Sequence, residues 1–374
     1  MKIGIITLPL HNNYGGILQA YALQKTLQDM GHDATVIDKS RIIRIPFKRK
    51  VIIYFKAFVK KMLFNKNIVI RWDKKHNKIV NAMRIHTYPF LLKHINRIEV
   101  SQDYSSIKES DFDAFVVGSD QIWRPIQLGE NNIDKAFLSF AEGWNVKRIS
   151  YAASFGSDEW EYTPKKADEC SKLIKKFEAV SVRENSAIEL CKKHFGIEAQ
   201  HVLDPTLLLT ATDYIKLFKE ANTAKSNGNL MCYILDNNKE KDFMIQQIAC
   251  KLNLSPFSVN SKYEVLDAPI EERIQPPVEK WLRGFHDAEM VFTDSFHGCV
   301  FSIIFNKPFW VIGNKERGNA RFDSLLKLFD LESRRIDISH INNIDFTQPI
   351  NWDKINTTKK EWQEKSLKFL KDNL

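Results

Sequence analysis

The chain has 374 residues, of which 55 are Lys or Arg and 46 are Asp or Glu, so its formal net charge is +9. A hydrophobic fraction of 44% is typical of a globular protein and excludes a disordered, collagen-like or coiled-coil chain. No apolar run reaches the roughly 20 residues that a membrane-spanning helix needs, and the apolar start is too short for a signal peptide. Five scattered cysteines without a C-x-x-C pair favour a reducing, cytoplasmic location.

The first half of the chain alternates short β-branched runs with helical patterns. Residues 2–8 and 34–37 are predicted strands, and residues 16–30 form an amphipathic helix pattern that ends at Gly31. This alternation predicts a mostly parallel sheet with helices on both faces. Further strands are predicted at 114–117, 148–153, 179–182 and 200–203, with helices at 165–177 and 184–194.

One segment of this half, residues 41–97, carries most of the positive charge. It contains sixteen Lys and Arg residues and a single acid, Asp73. The rest of the chain is mildly acidic, so the overall basic charge does not indicate nucleic-acid binding, and no nucleic-acid partner is expected. Two interpretations stay open: contact with an anionic membrane surface, where each basic residue contributes about 1 kcal/mol, or a helical insertion with a solvated basic face. The first predicts a peripheral protein on the inner face of the cytoplasmic membrane.

The alternating pattern restarts after Asp204-Pro205, where a predicted strand ends and a proline redirects the chain. The sequence therefore predicts an α/β fold with two doubly wound Rossmann-like domains facing a central cleft. The first domain spans 1–205 with the basic helical insertion at 41–97, the second spans 206–350, and a C-terminal helix occupies 351–374. Predicted strands of the second domain are 230–235, 257–259, 290–293 and 309–312, and predicted helices are 238–252, 278–284, 297–305, 321–329 and 358–372.

Polar residues that follow the strands are candidate ligand contacts, because open α/β sheets bind ligands beyond the carboxyl ends of their strands. The HNNYGG sequence follows the first strand, so Asn13, Tyr14 and Gly15 are candidates to line the cleft, although a tight strand–helix turn is an alternative. Asp120, after the strand at 114–117, is a candidate base for a sugar hydroxyl or an ordinary helix N-cap.

Two arginines are candidate anion ligands. Arg183 directly follows a predicted strand, where a guanidinium suits a carboxylate or phosphate; an ion pair with Glu184 or another nearby acid is the alternative. Arg321 begins a helix and either reaches the same cleft or lies on the surface.

The TDSFHG sequence gives the strongest local signal. Asp294, Ser295 and His297 stand between a buried-type strand and an apolar helix that continues from Gly298. An imidazole at the positive end of a helix binds phosphate or acts as a general acid or base, unless it only caps its own helix. The ten histidines are otherwise dispersed, and no metal-ligand motif is present in the sequence.

Six motifs in this order resemble the polysaccharide pyruvyl transferase family: NYGGILQAYALQ, VVGSDQIWRP, YAASFGS, SVREN, VLDPTLLL and TDSFHGCVFSIIFNKPFWVI. The resemblance covers most of residues 1–330 outside the basic insertion. It implies a GT-B-like fold, phosphoenolpyruvate as donor substrate, and no cofactor or metal. The acceptor would be two hydroxyls of a sugar in a bacterial-type surface or capsular glycan, for which a lipid-linked oligosaccharide is a candidate. The products would be a pyruvate ketal and phosphate.

The resemblance also assigns expected roles to individual residues. The family's strand-end arginine falls on Arg183 and its histidine on His297, our candidate acid or stabiliser of the departing phosphate, with Asp120 as candidate base. Many members carry an arginine two residues before the histidine, where this chain has Ser295. Arg321 is the candidate that replaces the missing charge in a donor site with Arg183, Ser295 and Gly298.

Two other functions are compatible with the sequence. A GT-B-like glycosyltransferase would use the same helix terminus for the diphosphate of a nucleotide sugar, and the serine at 295 mildly favours it. The other alternative is a non-enzymatic basic protein that binds membrane or nucleic acid. This function does not explain the polar residues at the strand ends.

Overall fold

Two parallel β-sheets organise the chain, one built from residues 2–201 and the other from residues 230–336. The computed structural model describes residues 1–64, 69–100, 103–313, 318–337 and 344–374. Helices cover both sheets, as parallel strands require.

The first sheet has seven parallel strands in the order β3-β2-β1-β4-β5-β6-β7. Its central strands are almost entirely buried, which is why they read as continuous apolar runs. The strand order reverses between β1 and β4, so the loops after these strands diverge and leave a crevice. The strands are β1 (Lys2–Ile6), β2 (Asp33–Lys39), β3 (Arg97–Val100), β4 (Ala114–Val117), β5 (Lys147–Ala153), β6 (Ala179–Val182) and β7 (Gln200–His201).

The helices of this half include three that the basic segment forms between β2 and β3. Helix α1 begins after Asn13, whose Oδ1 accepts a hydrogen bond from Gly16 N at 3.2 Å. A short turn of π-helix at Cys191–Phe195 extends α7. The helices are α1 (Tyr14–Asp29), α2 (Phe47–Phe64), α3 (Trp72–Met83), α4 (Tyr88–His94), α5 (Pro125–Leu128), α6 (Pro164–Ile174) and α7 (Ser186–Leu190).

The second sheet has five parallel strands in the order β12-β11-β10-β8-β9, with its own reversal between β8 and β10. Its strands are β8 (Leu230–Tyr233), β9 (Pro256–Phe257), β10 (Met290–Thr293), β11 (Phe309–Ile312) and β12 (Arg335–Ile336). Its helices are α8 (Ala211–Glu220), α9 (Lys239–Leu252), α10 (Val278–Asp287), α11 (Phe296–Ile304) and α12 (Ala320–Leu328).

The last helix, α13 (Trp352–Asn373), returns to the first half of the chain. Ser366 Oγ accepts a hydrogen bond from Leu203 N at 3.0 Å, and Phe369 and Leu370 enter the same apolar core as β1 and α1. That core also contains side chains of β10 and α11, so the two halves share one hydrophobic cluster.

The structure differs from the predicted elements at the sheet edges and in helices α5 and α8, which the sequence pattern does not predict. Strands β3 and β12 were not predicted, because each is a short edge strand without a long apolar run. The strand predicted at 200–203 ends at His201, and the one at 257–259 begins at Pro256 and ends at Phe257. Within the described residues, no helix is both long and apolar enough to cross a bilayer.

Candidate functional site

A polar cavity of about 130 Å³ lies where the strand ends of the two sheets meet. Asn13 and Asp120 border it from the loops after β1 and β4, at the reversal of the first sheet. Ser295 and His297 border it from the loop after β10 and the start of α11, and Arg321 from α12. Asp294 also borders it, so the fold brings six of the predicted site residues to one place.

The loop after β4 holds Asp120 in a special backbone conformation. Asp120 has a φ of +61°, in the left-handed region that non-glycine residues adopt at a cost. Gly118 has a φ of +135°, and a Cβ there would overlap the carbonyl oxygen of Tyr151. Ser119 N donates to Gln19 Oε1 at 2.9 Å, which ties the loop to α1. Asp120 is thus fixed by its surroundings and does not cap a helix.

Arg183 corrects one prediction, because its guanidinium does not border the cavity. It is buried, with Nη1 2.8 Å from Asp204 Oδ2 and Nη2 3.3 Å from Asp120 Oδ1. Burial would lower the pKa of Arg183, but the charges of Asp204 and Asp120 outweigh burial and raise it. Two carboxylates therefore engage this guanidinium, so the ion-pair alternative describes it, with acids other than Glu184 as its hydrogen-bond partners.

His297 lies in the first turn of α11, beside the same carboxylate. Its Nε2 is 3.7 Å from Asp204 Oδ2, beyond hydrogen-bond distance, and has no hydrogen-bond partner although it is buried. Burial would raise the pKa of Asp204, but His297, Arg183 and Thr206 hold it well below its usual range. Asp204 is therefore a carboxylate at neutral pH, and it lies next to the imidazole of His297.

The other side of the His297 ring lies against the first turn of α1. A Cβ on Gly15 would overlap Nδ1 and Cγ of the imidazole, so only glycine leaves room for the ring. The role of Gly15 is therefore to leave room for the imidazole of His297, which packs against its backbone, and not to contact a ligand.

The start of α11 has no side-chain cap. Ser295 is the N-cap residue, and its side chain makes no capping hydrogen bond. The backbone N–H groups of the first turn have no acceptor within the helix and carry its positive dipole. A Cβ on Gly298 would overlap Thr293, so this glycine allows close helix–strand packing, and only its backbone N–H is left for the predicted donor contact.

Arg321 places a positive charge on the cavity wall. The guanidinium groups of Arg321 and Arg183 both lie over the ring of Phe296, with their Cζ atoms 5.6 Å and 4.6 Å from its centroid. Burial and the charge of Arg183 lower the pKa of Arg321 to about 10, so it is still cationic at neutral pH. This charge lies in the cavity that Ser295 also borders, where the family pattern expected an arginine.

Tyr14 does not line the cleft as predicted. Its hydroxyl donates to Pro276 O at 2.8 Å, and its ring stacks on Trp281 with centroids 5.3 Å apart. Tyr14 is fully buried in the shared core, so it joins the two halves of the molecule.

Asp294 borders the cavity, but its carboxylate is engaged elsewhere. It accepts hydrogen bonds from Leu235 N at 2.7 Å, Asp236 N at 3.1 Å and Lys241 Nζ at 2.7 Å. These bonds anchor the loop after β8, so Asp294 serves to hold that loop in place.

Sequence reasoning missed several residues of the site. The sequence marks Asp204 only as the end of a predicted strand. That position is the one sign that its side chain lies near the site. Gln127 and Glu264 also border the cavity, and no periodic pattern marks them, whereas Gln121 borders it beside the predicted Asp120.

A second, larger cavity of about 620 Å³ adjoins the first and shares Asn13, Asp120 and Glu264 with it. Helix α3 of the basic segment forms part of its wall. His11 Nε2 and Asn12 Nδ2 on this wall are buried without a hydrogen-bond partner. Burial, with the charge of Arg41, lowers the pKa of His11 to about 3, so this imidazole is neutral.

No group of three His, Cys, Asp or Glu side chains in the described ranges is arranged to hold a metal ion. That the reaction needs no metal stays a prediction.

Two parallel α/β halves that meet at a polar cavity, lined by acids as well as by Arg321 and His297, define a fold of the GT-B type. The family model of polysaccharide pyruvyl transferases matches residues 13–316, and the chain belongs to this enzyme family. The predicted family and fold are thereby confirmed.

Solved structures support the fold alone. UDP-GlcNAc 2-epimerase from Methanocaldococcus jannaschii is similar at a TM-score of 0.50 and 13% identity, with 99% of each chain covered. UDP-GlcNAc 2-epimerase from Neisseria meningitidis has a TM-score of 0.44 and 12% identity, covering 98% of this chain and 100% of its own, a likeness too low to carry an argument. Comparison with individual curated protein sequences gave no significant match.

Proposed function

We propose that this protein transfers the pyruvyl group of phosphoenolpyruvate to two hydroxyls of a sugar in a bacterial-type surface or capsular glycan. The observation that carries the proposal is the setting of His297, a buried imidazole between a permanent carboxylate and a cavity that also holds Arg321. Phosphoenolpyruvate carries a phosphate and a carboxylate close together, so it needs two cationic or N–H-rich contacts in one small space.

The cavity offers such contacts from the second half of the chain. We assign the phosphate to the uncapped start of α11 with His297, because helix N-termini bind phosphate through free N–H groups. The carboxylate is assigned to Arg321, whose guanidinium suits bidentate hydrogen bonding. Ser295 Oγ is available as a neutral donor beside them.

Ketal formation needs an acid and a base. A proton adds to the methylene carbon of the donor, and the carbon that bears the phosphate becomes cationic and bonds to one sugar oxygen. The bond to phosphate then breaks, and the second sugar oxygen takes its place. Of the two hydroxyl protons released, one restores the acid and one leaves with phosphate. His297 is the proposed acid.

Asp120 is the proposed base for the acceptor hydroxyl. Burial would raise its pKa, but Arg183, His297 and Arg321 outweigh burial and lower it, so Asp120 is ionised at neutral pH. A carboxylate of low pKa accepts the proton once attack on the cationic carbon makes the hydroxyl acidic. Its fixed backbone conformation keeps it at the junction of the two cavities.

The acceptor sugar is assigned to the larger cavity. Its wall includes unpartnered polar atoms of His11 and Asn12, which are groups that sugar hydroxyls satisfy. Asn13 and Asp120 border both cavities, so acceptor and donor would meet there.

Phosphate release from phosphoenolpyruvate with a candidate glycan tests the assignment of His297. His297→Ala is expected to lower kcat by about 10²–10⁴-fold while the protein stays folded. His86→Ala, at an exposed position, is the matched control and should keep full activity. Unimpaired turnover by His297→Ala would remove this residue from the mechanism.

Isothermal titration tests the donor. Heat of binding with phosphoenolpyruvate and none with uridine or guanosine sugars supports the proposal. The reverse result would overturn the donor and favour the nucleotide-sugar glycosyltransferase.

A further inference from the structure

Helix α2 (Phe47–Phe64) carries six basic residues and no acid. None of its side chains joins the hydrophobic core clusters of the described residues. Two bonds to Asp73 hold it against α3, from Lys50 Nζ at 3.1 Å and from the Tyr54 hydroxyl at 2.5 Å. One side of α2 therefore faces the protein, and the remainder is presented outward.

The outward side carries a stripe of large apolar residues that the fold does not cover. Phe47 is 81% exposed, Phe55 66% and Met62 70%, and Val51 and Phe58 are also exposed. Their spacing of three or four residues puts all five on one helical face. Scattered exposed apolar residues are ordinary, but a continuous stripe marks an interaction surface.

Basic residues lie beside this stripe, and their charge decides which partner fits. Lys48 and Lys61 are exposed on the same helix, one on each flank of the stripe. A second copy of the chain would bring two such cationic helices together with no acid on either, which like-charge repulsion opposes. A nucleic acid would match the charge but leave the apolar stripe in water. An anionic lipid surface satisfies both features.

We propose that α2 lies on an anionic bilayer, with its apolar stripe at the boundary between headgroups and acyl chains and its lysines at lipid phosphates. The inner face of a cytoplasmic membrane is such a surface. Because α3 also lines the larger cavity, docking would bring that cavity close to the bilayer, within reach of a lipid-linked glycan. Only this last point rests on the proposed function.

Co-sedimentation of the full-length protein with lipid vesicles tests the proposal without any substrate. Binding is expected to vesicles of phosphatidylcholine mixed with phosphatidylglycerol, to weaken in high salt, and to be absent with phosphatidylcholine alone. The double variants Phe55→Ser/Met62→Ser and Lys48→Gln/Lys61→Gln should each bind about tenfold more weakly.

Matched controls remove similar groups elsewhere on the surface. Phe243→Ser, 46% exposed on α9, and Lys172→Gln, 71% exposed on α6, should bind like the wild type. Wild-type-like binding by both double variants, or no vesicle binding at all, would overturn the proposal. A drop in oligomeric mass by light scattering for Phe55→Ser/Met62→Ser with unchanged vesicle binding would assign the stripe to a second copy instead. Tighter retention on duplex DNA than on anionic vesicles at equal salt would likewise reject the bilayer.

Discussion

Gly15 and His297 come from different halves of the chain, and the backbone of the first is the surface on which the imidazole of the second rests. A methyl group on Gly15 would occupy the position of the ring. Gly15→Ala is therefore expected to displace His297 and lower kcat/KM by about 100-fold, since misplacement of a catalytic group by about 1 Å costs that much. Phosphate release from phosphoenolpyruvate measures this effect.

Gly16→Ala is the control, because a Cβ on Gly16 would meet the Asn13 side chain only at an ordinary 3.6 Å. Both variants gain helix propensity, so their melting temperatures should not fall through local helix loss. Equal activity of the two variants would contradict the role of Gly15.

Arg183 is expected to affect folding more than donor binding. Arg183→Met leaves the buried carboxylates of Asp120 and Asp204 without their shared partner, which should lower the free energy of unfolding by about 3–5 kcal/mol. Urea denaturation measures the loss. Arg335→Met removes a half-exposed ion pair with Asp323 and should cost less than about 1 kcal/mol. A stable Arg183→Met variant with a raised KM for phosphoenolpyruvate would instead make Arg183 a donor ligand.

Arg321 is expected to act on the donor. Arg321→Gln should raise the KM for phosphoenolpyruvate about tenfold or more, because a charged, hydrogen-bonding contact contributes about 1.5–3 kcal/mol. The Arg321→Gln variant should stay folded, because burial and the charge of Arg183 already disfavour a positive charge at position 321. Arg321→Lys keeps the positive charge but loses the planar guanidinium. Its KM for phosphoenolpyruvate should therefore lie between those of the wild type and Arg321→Gln. An unchanged KM in Arg321→Gln would leave the donor carboxylate without a ligand.

His201 should make stability depend on pH. Burial lowers the pKa of this imidazole to about 4, while its ordinary value is 6.5. The unfolded chain therefore binds a proton that the folded chain excludes, and the free energy of unfolding should fall as pH drops from 6.5 toward 4, by about 3 kcal/mol at most. Urea denaturation across this range, compared between wild type and His201→Gln, measures the contribution. Parallel profiles of the two proteins would contradict it.

The meeting of distant motifs was predictable from the sequence. Strand ends of parallel sheets converge, so the residues after β1, β4 and β10 had to approach one another once the α/β alternation was recognised. The same reasoning gave the doubly wound fold, and the ordered motifs gave the family, both of which are confirmed.

The roles of single side chains were less predictable. Whether Arg183 faces a ligand or an acid depends on where Asp204 lies after β7, which local patterns do not encode. Tyr14 follows the polar Asn13 in sequence. As the first residue of α1, however, its side chain points into the core and stacks on Trp281. Glu264 reaches the cavity from a loop without periodicity, so only the tertiary structure reveals it.

His297 belongs to the second half of the molecule, whereas Gly15 and Asp204, which its imidazole contacts or approaches, belong to the first. A movement that separated the two halves would remove His297 from both Gly15 and Asp204. The imidazole would then lose its packing surface, and the carboxylate would be exposed to solvent. The proton transfer that we propose for His297 would then be confined to molecules in which the two halves are in contact.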